Sequence, residues 1–312
     1  MRQIYFLALA LGLPVSTAGS AYEALITNER SGDVIRIDQQ GQTISVIPVC
    51  KRPRGMVRGL KEHEIIIACS DDDKVVVYDH FAQLITREFF DIPGAMSLEV
   101  HPNTSRLFVT NEGLSRASVI DLVSGLKIAD LPTGPEPDGI AVNETGSKIF
   151  VVSENAGLIH VFDGTSYRPI AIVKTDLRPR RAVLQDKELW VSSEMGSRVE
   201  IFDAETYGKI DEIVFAPKGF RSEQMTPVDI LFNLYAPPNF NIAPGIGRIH
   251  HADCNALVCR QIFVFLSRLD GTEAEVLPIP HKGHHVVGQG SIGHHHGHLG
   301  KVIALQNIVM AL

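Results

Sequence analysis

A chain of 312 residues that is 45% hydrophobic can bury a large core within one domain. Its charged residues, 21% of the total, sum to −7 without a long basic arm or an acidic tail, which argues against a nucleic-acid partner. Four cysteines permit disulfides without demanding them.

At the N-terminus, Arg2 precedes an apolar run from Ile4 to Leu13, followed by Pro14 and small residues. This is the layout of a secretory signal peptide over residues 1–20, with cleavage expected near Ser20 or Ala21. The rival is a membrane anchor, for which the run is short. The mature protein is therefore expected to be periplasmic or secreted.

Residues 21–233 repeat. A β-branched or aromatic run ending in Asp recurs as VIRID (Asp38), VVVYD (Asp79), SVID (Asp121), IHVFD (Asp163) and VEIFD (Asp203), at steps of 41, 42, 42 and 40 residues. Each is preceded by a second apolar run ending in an acid: Glu29, Asp71, Glu112, Glu154 and Glu194. A Pro followed by a short apolar run also recurs, at Pro53, Pro93, Pro137, Pro179 and Pro227. With a fourth run such as GLKIADLP, each period holds four short strands bounded by turn residues. A repeated four-stranded unit of this length is a β-propeller blade, so the fold class is all-β. One such sheet cannot bury both faces alone, hence the repetition. The mature length suggests seven blades. The repeat Asp residues are expected to be structural, accepting backbone N–H groups in the following turn. Cys50 and Cys69 flank a predicted hairpin, so a bridge there is possible; Cys254 and Cys259 form a C-x4-C pair further on.

The pattern stops after Asn233. Residues 234–312 contain Pro- and Gly-rich NIAPGIGRI and His-rich HKGHHVVG where blade residues are due, and the next apolar run, IFVFLSRLD, is out of phase. Three readings compete: an out-of-frame or rearranged segment, a His-rich metal-binding or flexible tail, and two diverged blades. His294, His295, His296 and His298 are the candidate metal ligands, since dense histidine tracts take up zinc, copper or nickel.

In a propeller the loops before the first strand and between the second and third share one face. The Pro-flanking residues and the repeat acids therefore meet at one mouth of the central channel. Lys51, Arg52 and Arg54, then Arg178, Arg180 and Arg181, supply cations, and Glu136, Asp138 and the repeat acids supply anions. Arginine clusters can clamp carboxylates or phosphates bidentately. They can equally be loop charges that pair with one another. The binding candidates are Arg52, Arg54, Arg178, Arg180, Glu112, Glu154 and Glu194, with Arg54 and Arg180 as the expected anchors. No G-x-S-x-G elbow, P-loop, H-E-x-x-H or C-x-x-C-H haem motif occurs.

LFVTNEGLSRASVID and IFVVSENAGLIHVFD resemble the repeats of the YVTN family of β-propellers. KRPRGM, ACSDDDKVVVYD, GPEPDGIAV, LRPRRAV and LWVSSEMGSRVEIFD resemble, within it, exported propellers associated with pyrroloquinoline quinone (PQQ)-dependent alcohol catabolism. The resemblance runs from about Tyr22 to Asn233. It implies a non-enzymatic accessory or binding protein acting beside a periplasmic quinoprotein dehydrogenase or a cytochrome c, with no resident cofactor expected and bound PQQ or metal as the exceptions. The alternatives are a propeller enzyme of the lactonase or quinoprotein type, and a cell-envelope metal-binding protein that uses the His-rich tail.

Overall fold

A computed structural model describes residues 23–37, 42–215 and 225–233, and the backbone of three further strands at 261–268, 274–279 and 308–311. The first blade takes β1 (Glu23–Asn28), β2 (Asp33–Ile37) and β3 (Thr43–Pro48). The second is β4 (Pro53–Arg58), β5 (Glu64–Cys69), β6 (Lys74–Asp79) and β7 (Leu84–Phe89). The third is β8 (Ala95–Val100), β9 (Arg106–Asn111), β10 (Arg116–Asp121) and β11 (Lys127–Pro132). The fourth is β12 (Pro137–Val142), β13 (Lys148–Ser153), β14 (Leu158–Asp163) and β15 (Pro169–Lys174). The fifth is β16 (Pro179–Gln185), β17 (Glu188–Ser193), β18 (Arg198–Asp203) and β19 (Lys209–Val214). A sixth sheet joins β20 (Met225–Asn233), β21 (Gln261–Arg268) and β22 (Ala274–Ile279), and β23 (Ile308–Ala311) pairs with β1.

Each complete blade is an antiparallel meander of neighbouring strands. Its second and third strands read as unbroken apolar runs because both of their faces are covered. Along β5, Ile65 and Ile67 pack with Leu25, Val34 and Tyr78. Their neighbours Ile66 and Ala68 pack the other way, with Leu98, Leu107 and Val109. Successive strand residues point to opposite faces, so one blade packs between two others. Phe108 repeats the arrangement against Ile140, Ile149 and Phe162. On the outermost strands β3 and β15 most side chains are exposed or half-buried, as expected for an edge with one covered flank.

The turn after the third strand follows from the repeat Asp. Asp79 Oδ1 accepts the Phe81 and Ala82 N–H groups at 2.9 and 2.8 Å. Asp121 does the same for Val123 and Ser124, Asp163 for Thr165 and Ser166, and Asp203 for Glu205 and Thr206. These bonds, led by the N–H three residues on, hold all four carboxyls below the usual Asp range. Asp38 lies outside the described residues, as do Cys254, Cys259 and the candidate ligands His294, His295, His296 and His298.

Cys50 and Cys69 form a disulfide that ties the connection between the first and second blades to the end of β5. Pro53, Pro137 and Pro179 open β4, β12 and β16, whereas Pro93 precedes β8 and Pro227 lies inside β20. The described residues make six sheets, against seven expected from length. The shortfall lies after Asn233, where Pro/Gly-rich and His-rich stretches replace strand signals and the described residues contribute only β21, β22 and β23. IFVFLSRLD, out of phase in sequence, still pairs along β20 as β21. Residues 308–311 supply the inner strand of the first sheet, beside β1. Among the described residues no helix is long and apolar enough to cross a membrane.

Candidate binding site at the channel mouth

The inner strands β4, β8, β12 and β16 carry one irregularity at one place. Register shifts between Pro53 and Met56, Ala95 and Leu98, Pro137 and Ile140, and Pro179 and Ala182. A bulge of this kind bends the strand and re-aims the side chains within it. Here they turn into the channel. Arg54, Met96, Asp138 and Arg180 occupy the same position of successive blades, 42 residues apart. With Ser97 and Asp229 they enclose a space of about 30 Å³, room for about one water molecule. The blades approach closely at this level: a Cβ on Gly139 would collide with the Arg180 carbonyl oxygen.

A second geometry recurs from blade to blade in the loops that enter these strands. Arg52, Gly94, Glu136 and Arg178 have φ of 49°, 59°, 52° and 60°. Their carbonyls accept the N–H groups of Ser70, Glu112, Glu154 and Glu194 at 2.9–3.1 Å. This bond joins the loop entering each inner strand to the acid loop of the same blade. Glycine adopts the left-handed region freely, and at Gly94 a Cβ would lie 2.6 Å from the Glu112 carbonyl oxygen. Other residues adopt it at roughly 1–2 kcal/mol. Arg52, Glu136 and Arg178 also precede proline, where extended backbone is favoured. Three strained positions thus hold charged side chains over the mouth.

The arginines and acids pair across blades. Arg54, with its side chain 8% exposed, binds Glu29 at 2.6 Å and reaches the Met96 sulfur at 3.0 Å. Arg52 binds Glu29 at 2.8 Å, with Asp71 and Glu112 at 3.5 and 3.7 Å. Arg180, 13% exposed, meets Asp138, Glu154 and Glu194 at 3.2–3.3 Å. Arg178, 40% exposed, binds Glu154 at 2.9 Å and Glu194 at 3.4 Å, its closest contacts running through Nε. Arg181 faces Asp229 at 3.2 Å. The expected anchors Arg54 and Arg180 are therefore internal ties, their charges already matched by carboxylates. The more open arginines are Arg52, Arg178 and Arg181, at 34%, 40% and 38% exposed. Glu154 and Glu194 are largely covered by these pairs, while Glu112 stays partly open beside Arg52.

Proton affinities follow from this crowding. Burial pushes Glu29 up, but Arg52 and Arg54 outweigh it and hold the carboxyl below its usual range. Burial pushes Glu154 up to about 7; Arg180 opposes the rise and the neighbouring Asp138 carboxyl reinforces it. Glu99, on β8, is pushed up to about 7 by burial, with Arg181 opposing. Asp229 is raised by the same cause. Glu99 and Asp229 keep some solvent accessibility yet are surrounded by protein, as side chains bordering a narrow channel are. Arg180 loses hydration, but its three carboxylates hold it above the ordinary guanidinium range.

Exposed apolar side chains flank these charges. Phe90, Leu114, Leu177 and Met195 are 63%, 43%, 65% and 57% exposed. They sit in the same entry loops and acid turns as the mouth charges. Nearby, Glu29, Cys50, Lys51, Arg52, Asp71 and Asp72 line an open groove of about 680 Å³. Among the described residues no three His, Cys, Asp or Glu side chains are placed to hold a metal. The histidines bond locally: Nδ1 of His101 accepts the Asn103 N–H at 3.1 Å, and Nε2 of His160 accepts that of Gly134 at 2.9 Å. Trp190 is 7% exposed and donates to Glu188 at 3.0 Å.

No family model matches the chain. No curated protein matches it either. Among solved structures it is similar to hydrazine synthase of Kuenenia stuttgartiensis, with a TM-score of 0.54 and 16% identity over 73% of this chain. The match takes in 66% of that chain, a little under two thirds of its length. At this identity the likeness is one of fold: a β-propeller.

Proposed function

We propose that this chain is an exported, non-enzymatic β-propeller that docks a partner protein on its charged mouth. The observation that carries the reading is the left-handed backbone at Arg52, Glu136 and Arg178, where glycine at the equivalent Gly94 makes the same bond without strain. Backbone strain retained at charged, solvent-facing positions points to a use for the side chains. Exposed Leu114, Leu177 and Met195 among these charges favour a protein over a small anion. Apolar and arginine side chains within a polar rim are the composition of a docking patch. The YVTN-type resemblance supplies the partner class: a periplasmic quinoprotein dehydrogenase or its cytochrome c, in PQQ-dependent alcohol oxidation.

The enzyme alternative finds less support. The channel space of about 30 Å³ is far smaller than a quinone or lactone substrate needs. The mouth acids are engaged by arginines, and the described residues there present no nucleophile with a base beside it. Recovery of the native protein from periplasmic extract, in parallel with an Arg52→Gly/Arg178→Gly variant, tests the reading. A dehydrogenase or cytochrome held by the wild type and lost from the variant supports it. Equal recovery by both forms refutes the mouth as the docking site. A visible or near-UV chromophore on the purified chain would favour the enzyme.

A further inference from the structure

The left-hand side of the mouth, around Glu154, holds more acid than its arginines neutralise, and the acids meet at one point. Nε of Arg180 lies 3.2 Å from Asp138 Oδ2 and 3.3 Å from Glu154 Oε1. Two carboxylates of the fourth blade thus crowd one guanidinium nitrogen of the fifth. Glu154 is 7% exposed and is also bound by Arg178 Nε at 2.9 Å. The charged groups facing it come from each neighbouring element. Glu136 and Asp138 stand at the start of β12, Arg178 and Arg180 at the start of β16, and Glu194 at the end of β17. Further round the channel lie Arg54 on β4 and Glu99 on β8, while Arg181, next to Arg180 on β16, pairs with Asp229 on β20. Three acids, Asp138, Glu154 and Glu194, therefore surround Arg178 and Arg180. A proton on Glu154 relieves the excess, because a protonated carboxyl donates to its neighbour instead of repelling it.

Arg178 sits at the outer edge of this cluster. It is the most exposed arginine of the mouth and points from a strained backbone position. An incoming carboxylate would compete with Glu154 for its guanidinium. If Glu154 stayed ionised, the newcomer would meet a second negative charge in the same low-dielectric spot. If Glu154 took a proton, its hold on Arg178 would weaken and its charge would vanish together.

We propose that Arg178 is a carboxylate-binding residue whose occupation is coupled to uptake of one proton by Glu154, so that docking at the mouth strengthens as pH falls. The inference rests on the docking reading above and adds the chemistry of the recognised group and its regulation. Burial of Glu154, which lifts its proton affinity to about 7, places the transition within a range that an extracytoplasmic protein meets.

Oxalate is a suitable probe, because it stays fully ionised across the range and presents two carboxylates to a guanidinium fork. Titration calorimetry at pH 6 and pH 8, in two buffers of different ionisation enthalpy, reads both affinity and proton uptake. The wild type is expected to bind about tenfold tighter at pH 6, the ratio of competent populations for a group titrating near 7. It should take up as much as one proton per oxalate at pH 8. Glu154→Gln is expected to bind equally well at both pH values with no proton uptake, and Arg178→Gln to lose binding at both. Infrared difference spectra of the unmutated protein give a second readout, the C=O stretch of a protonated carboxyl appearing on oxalate addition at pH 8. An acid-rich peptide run beside oxalate separates the sources: tighter peptide binding supports a protein carboxylate, tighter oxalate binding a small dianion. Oxalate binding by the wild type with no pH dependence and no proton uptake overturns the coupling while leaving the mouth as a binding site. No heat from either probe at either pH, with the partner still recovered through Arg178, overturns the carboxylate assignment and leaves docking intact. No heat together with no recovery removes both.

Discussion

The Arg178 carbonyl accepts the Glu194 N–H at 2.9 Å only because Arg178 is left-handed, at φ 60°. The equivalent bond recurs at Arg52, Gly94 and Glu136, and only one of the four positions is glycine. The exchange of residues at these sites therefore has opposite signs. Gly94→Ala should destabilise by about 1–2 kcal/mol, and the 2.6 Å approach to the Glu112 carbonyl oxygen adds to that loss. Glu136→Gly should stabilise by about 1 kcal/mol. Urea melts of the two variants check this, and equal signs would show that the loop bond does not depend on backbone handedness.

Glu154 gives a pH-dependent stability with an inverted slope. Its folded-state proton affinity is raised by burial to about 7, above an unfolded Glu value of roughly 4.3. The folded state therefore binds the extra proton between those values. The penalty is absent below about pH 4.3 and fully present above about pH 7. Glu154→Gln should match the wild type near pH 4 and exceed it at pH 8, by about 3–4 kcal/mol. Thermal melts at the two pH values measure the difference.

The repeat Asp residues act in the other direction. Backbone N–H donors hold Asp79, Asp121, Asp163 and Asp203 below their usual range. Their contribution is complete above the unfolded Asp value of about 3.9 and fades as pH falls through the lower folded values. Asp163→Asn should keep the turn, since its amide oxygen can accept the same N–H groups, while flattening the acid limb of the stability curve. Asp163→Ala should lower Tm at all pH values. An acid limb unchanged in the Asn variant would show that the turn does not depend on the charge.

The disulfide closes a loop between residues 19 apart. Replacing both Cys50 and Cys69 with Ser should lower stability by about 3 kcal/mol, the loop-entropy value for a ring of this size. A reductant added to the wild type should produce the same shift in urea midpoint. No shift in either case would mean that the first two blades are held by Ile65, Ile67 and their partners alone.

The blade pattern was legible because its signals are local. Runs such as LFVTN and VVVYD, their Asp-terminated turns and their 42-residue spacing each lie within a few residues of chain. The mouth was only partly legible. Its loops could be placed on one face, but which charges meet could not be read. Arg180 reaches Asp138 42 residues away and Arg178 reaches Glu154 24 residues away, across blade boundaries that no local signal describes. The inner-strand bulge and the left-handed residues left a faint trace, a charged residue before Pro at positions 52, 136 and 178. Residues 308–311 carry no turn or period mark that ties them to β1, so their pairing belongs to ring topology rather than to local sequence.

The most direct test of the docking mouth is site-specific photo-crosslinking in cells, with the reactive side chain at Leu177 beside Arg178, or at Phe81 in the β6–β7 turn of the second blade. Leu177 and Phe81 are 65% and 69% exposed, so the two reporters are equally open to contact. A single protein partner captured from Leu177 and not from Phe81, identified by mass as a dehydrogenase or cytochrome, is the expected result. Capture from Phe81 alone would contradict the assignment of the mouth as the binding surface.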